Sequence, residues 1–231
     1  MNQAQSLLPV PLRPLLLALA VAAAPGAALA QSAGSWLVRL GATQIKPEVT
    51  SGDLSAPSPA GTKIDVSSDT QPTAGITYML SDRWAIDLPL AAGFKHDVLA
   101  AGAIAGAGRL GEVNALPVTL LLQWRFGSAD DALRPYIGIG PTYAYLYDAR
   151  STATLTAITG GTPSRPTLLD MESKLTFTAQ LGLAWRFAPR WALDMAVMKT
   201  PLKTTGTLST GQTIEAKLDP LSAHVGVAYR F

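Results

Sequence analysis

The chain has 231 residues, of which 48% are apolar, 15% are charged and none is cysteine. Ordinary soluble domains carry roughly a quarter charged residues. The absence of cysteine excludes disulfide frameworks and thiolate-bound metals. The formal net charge of +2 gives no support for nucleic-acid binding, which normally requires a clustered basic face.

The first 30 residues predict an export signal. Arg13 is the only charged side chain before residue 31, an apolar stretch follows from Leu15 to Ala24, and Ala28-Leu29-Ala30 forms a small-residue exit. This order predicts cleavage after Ala30, with residues 1–30 as a signal peptide and residues 31–231 as the mature domain. The alternative, an uncleaved membrane anchor, is disfavoured because the apolar stretch is far shorter than the roughly 20 residues of a spanning helix.

Eight segments of the mature sequence alternate with a period of two. The fourth is the clearest, because its even positions from Leu116 to Phe126 are apolar while Thr119, Gln123 and Arg125 lie between them. The apolar run from 98 to 108 is too short to span a membrane as a helix, so membrane insertion would require a closed barrel. The eight segments start near Trp36, Thr70, Trp84, Leu116, Ile137, Glu172, Trp191 and Leu221.

This pattern predicts an all-β fold, an eight-stranded antiparallel transmembrane up-and-down β-barrel. A soluble lipocalin-like barrel is the alternative, and it would hide its apolar residues inside and show Lys and Glu outside. Here the charged residues share the face that is rich in Gly, Ala and Thr. That small, polar face suits the narrow interior of an eight-stranded barrel.

The connections between segments alternate in length. Short turns are predicted at 81–83, 127–133 and 188–190, and long loops at 47–69, 94–112, 148–170 and 200–212. Aromatic residues cluster beside the short turns, where they predict an interfacial girdle. The expected location is the outer membrane of a Gram-negative cell, with short turns and both termini in the periplasm.

Side-chain parity also assigns residues to the lumen. A charged group near the short turns is expected to pair and plug the lower lumen, because unpaired buried charges are costly; it comprises Arg39, Asp87, Arg125, Arg186, Asp194 and Arg230. A milder upper lumen is expected to line a transport path, represented by Met79, Thr119, Leu121, Thr176 and Met198. Pro89 and Pro117 face inward and lack an N–H, so they are candidates for a lateral opening, although tolerated kinks are equally compatible.

Three further patterns carry little weight. The match of 106–111 to G-x-G-x-x-G has no strand–turn–helix context, and His96 and His224 are far apart, so we expect neither a cofactor nor a metal site. Ser222 and His224 have the spacing of the catalytic pair in outer-membrane barrels that deacylate lipid A. Parity places both inside, away from a lipid substrate, and no orienting carboxylate is evident, so we expect no enzymatic activity.

From residue 34 onward the chain resembles the OmpW family of small outer-membrane barrels, with AlkL-type hydrocarbon-uptake channels as relatives. The resemblance includes a motif of Lys95, His96 and Asp97 after the third segment, and a terminal pair, Tyr229 and Phe231, of the kind that outer-membrane proteins use as an assembly signal. One departure is that 170–175 lacks the Trp that often follows there and lines a hydrophobic gate in the family. The matching stretches are 34–39, 93–98, 116–123, 134–138 and 219–231.

The resemblance implies a channel for uptake of small hydrophobic molecules, with release sideways into the membrane. The partners expected are outer-membrane lipids, small hydrophobic solutes and the barrel assembly machinery, which would read the C-terminal strand. The alternatives are a structural or adhesive barrel, or a receptor without transport. No nucleic-acid partner is expected.

Overall fold

The computed structural model describes residues 31–231, so the predicted signal peptide lies outside the described residues. Within them, no helix is long and apolar enough to cross a membrane. The only helix in this part of the chain is α1 (Ala153–Ile158). The strands are β1 (Trp36–Lys46), β2 (Thr50–Ser51), β3 (Thr62–Val66), β4 (Asp69–Met79), β5 (Trp84–Ala91), β6 (Phe94–Gly102), β7 (Arg109–Thr119), β8 (Leu121–Arg125), β9 (Leu133–Ser151), β10 (Leu169–Met171), β11 (Lys174–Ala188), β12 (Trp191–Lys199), β13 (Lys203–Leu208), β14 (Thr213–Lys217) and β15 (Leu221–Arg230).

Eight antiparallel strands close into a barrel, which confirms the predicted fold. The ring runs β1–β4–β5–β8–β9–β11–β12–β15 and closes where β15 pairs with β1. β7 and β8 are two parts of one spanning strand, interrupted at Leu120, and both pair with β9. Closure gives every strand of the ring a neighbour on each side, which is the arrangement that lets strands cross a membrane.

Alternation along each strand separates an apolar outer wall from the lumen. On β9, Ile137 and Ile139 are 47% and 60% exposed, whereas Arg134 and Tyr136 between the outward positions are buried. The same contrast recurs around the ring, where large apolar side chains cover the outer face. A lipid environment explains this exposure, because water would disfavour it.

One end of the barrel carries three short turns, 80–83, 126–132 and 189–190, and we call it the short-turn end. Aromatic side chains encircle its outer face. Trp84 meets Trp124 with ring centroids 4.7 Å apart, and Trp191 meets Tyr229 at 4.8 Å. Such amphipathic rings favour the headgroup level of a membrane, so the predicted girdle is present.

The opposite end, the long-connection end, is more ordered than the sequence predicted. Segments expected to be loops contain β2, β3, β6, β13, α1 and most of β10, and β14 follows the last of these segments. β10–β13–β14–β2 form a second sheet. The physical reason is a separate apolar core, which includes Leu110, Leu146, Leu155, Leu208 and Ile214. Apart from β6, these strands have two to six residues and show too few alternating positions to be recognised from sequence, although burial stabilises them.

Candidate functional site

A cavity occupies the half of the lumen toward the long-connection end. Its walls are mostly apolar and include Phe94, Val98 and Leu202. Toward the short-turn end it stops at Arg39 and Asp194. The cavity is therefore an apolar chamber with a polar floor, an arrangement typical of sites for small molecules.

A chain of threonine hydroxyls crosses the chamber wall. The hydroxyl of Thr142 lies 2.9 Å from that of Thr119 and 2.6 Å from that of Thr178, which in turn is 2.8 Å from that of Thr200. Because these hydroxyls satisfy one another, the wall adds few unfilled hydrogen-bonding groups to the chamber. It can therefore contact an apolar solute at low desolvation cost.

The floor begins with a buried ion cluster. Arg39 Nη2 lies 2.9 Å from Asp87 Oδ1, and Arg39 Nε lies 3.7 Å from Asp194 Oδ1. Thr77 donates to Asp87 at 2.6 Å, and the hydroxyl of Tyr136 donates to Asp194 at 3.0 Å. The three charged groups are at most 4% exposed, and these neighbours supply hydrogen bonds to both carboxylates, whereas Arg39 Nε is buried without a hydrogen-bond partner among the described residues.

A second layer of the floor lies nearer the short turns and is built on arginines. Arg125 donates to Gln31 at 3.1 Å and to Gln123 at 2.9 Å, and its guanidinium lies 4.8 Å from the ring centre of Tyr136. Arg134 donates to the same Gln31 side chain at 3.2 Å. Gln31, which follows the expected cleavage site, thus accepts hydrogen bonds from two buried guanidinium groups.

The sequence predicted one paired plug, and the structure corrects this to two layers. Arg39, Asp87 and Asp194 pair as expected. In residues 31–231, however, neither Arg125 nor Arg230 forms an ion pair with a carboxylate within 4.0 Å. The reason is the position of these residues along the barrel axis. Arg125 lies next to a short turn, opposite Tyr136, whereas Asp87 and Asp194 lie further from the turns, opposite Thr77 and Gly226.

The predicted transport path is also partly corrected. Thr119 and Met198 line the chamber. Met79 instead packs with Leu37 and Ala85 near the short-turn end, and Leu121 lies opposite Asp87 at the level of the ion cluster. Parity gave the correct face for both residues but could not give their height. Thr176 does not line the chamber and donates to the carbonyl of Pro201.

The ladder of hydrogen bonds is interrupted beside the chamber. Asp87 pairs with Leu121, and the next pair along this seam is Phe94 with Ala115. No residue of 88–93 is paired with 116–120, although β4 pairs with β5 and β9 pairs with β7 on the outer sides of this gap.

Both candidate prolines lie in the gap. Pro89 and Pro117 line the chamber from its two sides. Neither can donate a backbone hydrogen bond across it, since proline has no N–H. The two prolines singled out from the sequence therefore lie at an interruption of strand pairing.

The Lys95-His96-Asp97 motif belongs to strand β6 and not to a loop. Lys95 Nζ lies 2.9 Å from Glu112, and Asp97 accepts from Arg109 at 3.0 Å. His96 is 4% exposed and its Nδ1 lies 2.7 Å from the carbonyl of Ser67. The motif thus links β6 to β7 and to Ser67 on the long-connection side of the gap.

Ser222 and His224 face the lumen and not the lipid. Ser222 is buried, and both residues line the chamber. His224 Nδ1 lies 3.0 Å from the hydroxyl of Thr43 and 3.4 Å from that of Thr73. Hydroxyl groups thus take the position in which a catalytic pair would need a carboxylate.

Several lumen residues were missed by the sequence analysis. Arg134 and Tyr136 lie inside, and strand parity could have found both, because they alternate with the outward residues of β9. Gln31 carries no such signal, since it precedes β1 and is placed by hydrogen bonds to distant arginines.

Comparisons with known proteins agree with this architecture. A model of the OmpW family matches residues 32–231. Outer membrane protein W of Vibrio cholerae serotype O1 is 26% identical over 219 residues, which cover 92% of this chain and 97% of the relative. Outer membrane protein AlkL of Ectopseudomonas oleovorans is 27% identical over 212 residues, covering 90% and 86%.

A solved structure is similar over the same region. The crystal structure of the outer membrane protein OprG from Pseudomonas aeruginosa has a TM-score of 0.78 at 27% identity, covering 88% of this chain and 98% of that one. The family model and the closed barrel with its apolar outer wall lead to one assignment. This chain belongs to the OmpW family of outer-membrane β-barrel proteins.

Proposed function

We propose that this barrel takes up small hydrophobic molecules through its chamber and releases them sideways into the membrane. The observation that carries the proposal is the position of the seam gap. It adjoins an apolar chamber whose axial exit is filled by buried charges.

The floor disfavours passage along the barrel axis. A solute moving straight through must separate Arg39 from Asp87 and Asp194, and breaking a buried ion pair typically costs about 3–5 kcal/mol. An apolar solute offers no hydrogen bonds in return. The proposed role of this layer and of the arginines beneath it is to plug the lumen.

The gap favours lateral release. Pro89 and Pro117 face the chamber, while Leu90 and Val118 beside them are exposed on the outer wall. A molecule leaving here passes from one apolar environment to another, and each methylene kept out of water is worth about 0.8 kcal/mol. The resemblance to AlkL-type hydrocarbon-uptake channels supports the same solute class.

In this proposal the long-connection end faces the outside, and both termini lie in the periplasm. Alternation of short and long connections supports this orientation. Tyr229 and Phe231 end the strand that closes the barrel, with rings 4.9 Å apart, and we assign them to recognition by the barrel assembly machinery. The proposed partners are therefore that machinery, outer-membrane lipids and small hydrophobic solutes.

Uptake by cells tests the transport role. Cells that carry or lack the protein are given a terpene or a medium-chain alkane, and its entry is followed against that of a small polar solute. We expect faster entry of the apolar compound alone. Equal rates in both strains, with the folded barrel present in the envelope, would overturn transport and favour the structural or receptor alternative.

A further inference from the structure

One hydrogen-bond donor of the chamber wall is left without an acceptor. Gln180 lies on β11, is 6% exposed and lines the chamber. Its Oε1 accepts from Gln123 Nε2 at 2.8 Å, whereas its own Nε2 has no acceptor in the described part of the chain. A largely buried donor without an acceptor is costly, so a molecule that fills the chamber binds better if it brings an acceptor to this position.

An arginine fixes the direction of this amide. Arg125 Nη2 donates to Gln123 Oε1 at 2.9 Å, and a guanidinium group has donors only. Gln123 therefore turns its Nε2 toward Gln180, which accepts through Oε1 and leaves Nε2 for the chamber. Arg125 and Gln123 are at most 1% exposed, so water does not compete for these positions. We call these three side chains the amide relay.

The surroundings of Gln180 make its donor distinct. Gly138 and Met198 lie opposite it on the two neighbouring strands, and neither side chain offers an oxygen acceptor. The threonine hydroxyls of the wall pair with one another and can turn to suit a partner, whereas the relay holds Gln180 in one orientation. The chamber therefore combines an apolar wall with one directed N–H donor.

We propose that the chamber selects small apolar molecules that carry a neutral oxygen acceptor, such as a ketone or an ester, and binds that oxygen at Gln180 Nε2. The inference rests on the proposed uptake function and narrows its solute class from hydrocarbons in general to mono-oxygenated ones. A carboxylate is disfavoured, because the adjoining ion cluster sets two carboxylates, Asp87 and Asp194, against the single guanidinium of Arg39.

Ligand binding to the purified barrel tests the proposal. Methyl-labelled protein in nanodiscs is titrated with hexane, butyl methyl ketone and hexanol, and the NMR signals of Val98 and Leu202, which line the chamber, report occupancy. Each affinity is compared between variant and wild type, so that partition of the ligand into lipid cancels. Gln180→Leu should weaken ketone binding about tenfold, about 1.4 kcal/mol, and should not weaken hexane binding.

A second variant reverses the relay with little change of shape. In Gln123→Glu the carboxylate still accepts from Arg125 but has no donor, so Gln180 should turn Nε2 toward it and present Oε1 to the chamber. The ketone should then bind as weakly as in Gln180→Leu, whereas hexanol, whose hydroxyl can donate, should keep its affinity. This variant also serves if Gln180→Leu does not fold.

The control is Gln44→Leu, at an exposed glutamine that does not line the chamber, and it should leave all three affinities unchanged. Hexane binding together with equal ketone affinity in the wild type and in both relay variants would overturn this inference and leave the proposed function standing. Failure of the folded wild type to bind any of the three ligands would overturn the proposed function as well.

Discussion

Two seams of the barrel wall differ in how completely their backbone hydrogen bonds are paired. On the closing seam, β1 and β15 pair without interruption from Leu37 opposite Arg230 to Lys46 opposite Leu221. On the seam between β5 and β7, pairing stops for several residues beside the chamber. Both seams keep the alternation of lipid-facing and lumen-facing side chains. Alternation therefore makes a barrel, while the placement of backbone donors decides where neighbouring strands are joined by hydrogen bonds.

The lumen differs in parallel with the wall. Near the short turns, charged and polar side chains fill the interior, and beside the interrupted seam the interior is an apolar chamber. In the proposed function, this coincidence gives an apolar solute an exit through the wall where the charged floor disfavours passage along the axis. Substitutions on the two sides of this contrast should therefore have different effects.

The largest effect is expected from proline in the uninterrupted seam. Val227→Pro removes a backbone donor from β15, which is paired on both sides, and should prevent barrel assembly. Ala92→Pro lies in the gap and should still assemble. Heat-modifiable gel mobility of envelope fractions measures both. Comparable folded yields from the two variants would remove the distinction between the seams.

The next largest effect is expected at the buried ion cluster of the floor. Asp87→Asn removes the charge of the nearer of Arg39's two carboxylates and leaves that of Asp194, so the loss should be about 1.5–3 kcal/mol of unfolding free energy. Urea unfolding in detergent or bilayers measures it. The control is Glu215→Gln, at an exposed ion pair with Lys203, where no measurable loss is expected. Similar losses at the two sites would contradict the structural role of the cluster.

A smaller effect is expected from the prolines of the gap. Replacing both Pro89 and Pro117 with alanine restores two backbone donors and should let pairing extend, so that uptake of an alkane falls by a few-fold while the barrel becomes more resistant to unfolding. The uptake assay and urea unfolding report the two parts. Unchanged uptake with a more stable barrel would mean that the prolines are only tolerated kinks.

The smallest effect concerns the ion pair between Lys203 and Glu215 in the second sheet. The hydrogen bond from Lys203 lowers the pKa of Glu215, as does the charge of that lysine. Because the folded-state pKa is the lower one, any stabilisation is present above the unfolded-state pKa and is lost as the pH falls through the folded-state pKa. An NMR titration of the Glu215 carboxyl in the folded barrel and in a Lys203→Gln variant should show a higher pKa in the variant.

The sequence predicted the ring of eight strands because lipid and lumen impose opposite demands on successive side chains. That constraint gives the face of a residue but not its height, which depends on strand stagger, and so Met79 and Leu121 were placed too far from the floor. Pro89 and Pro117 marked the gap, whereas its length depends on hydrogen bonds between strands. The role of Gln31 comes from contacts with residues about a hundred positions away and leaves no local pattern.

The most direct measurement is to close the gap reversibly. The chain has no native cysteine, so Leu90→Cys and Val118→Cys can be bridged on the outer wall with a short bis-thiosulfonate and released with a reductant. Leu40→Cys with Val227→Cys, a directly opposed pair on the closing seam, is the control. Lateral release predicts that bridging Leu90 to Val118 reduces alkane uptake to the level of cells without the protein and that the reductant restores it, with no change in the control. Full uptake through the bridged barrel would contradict it.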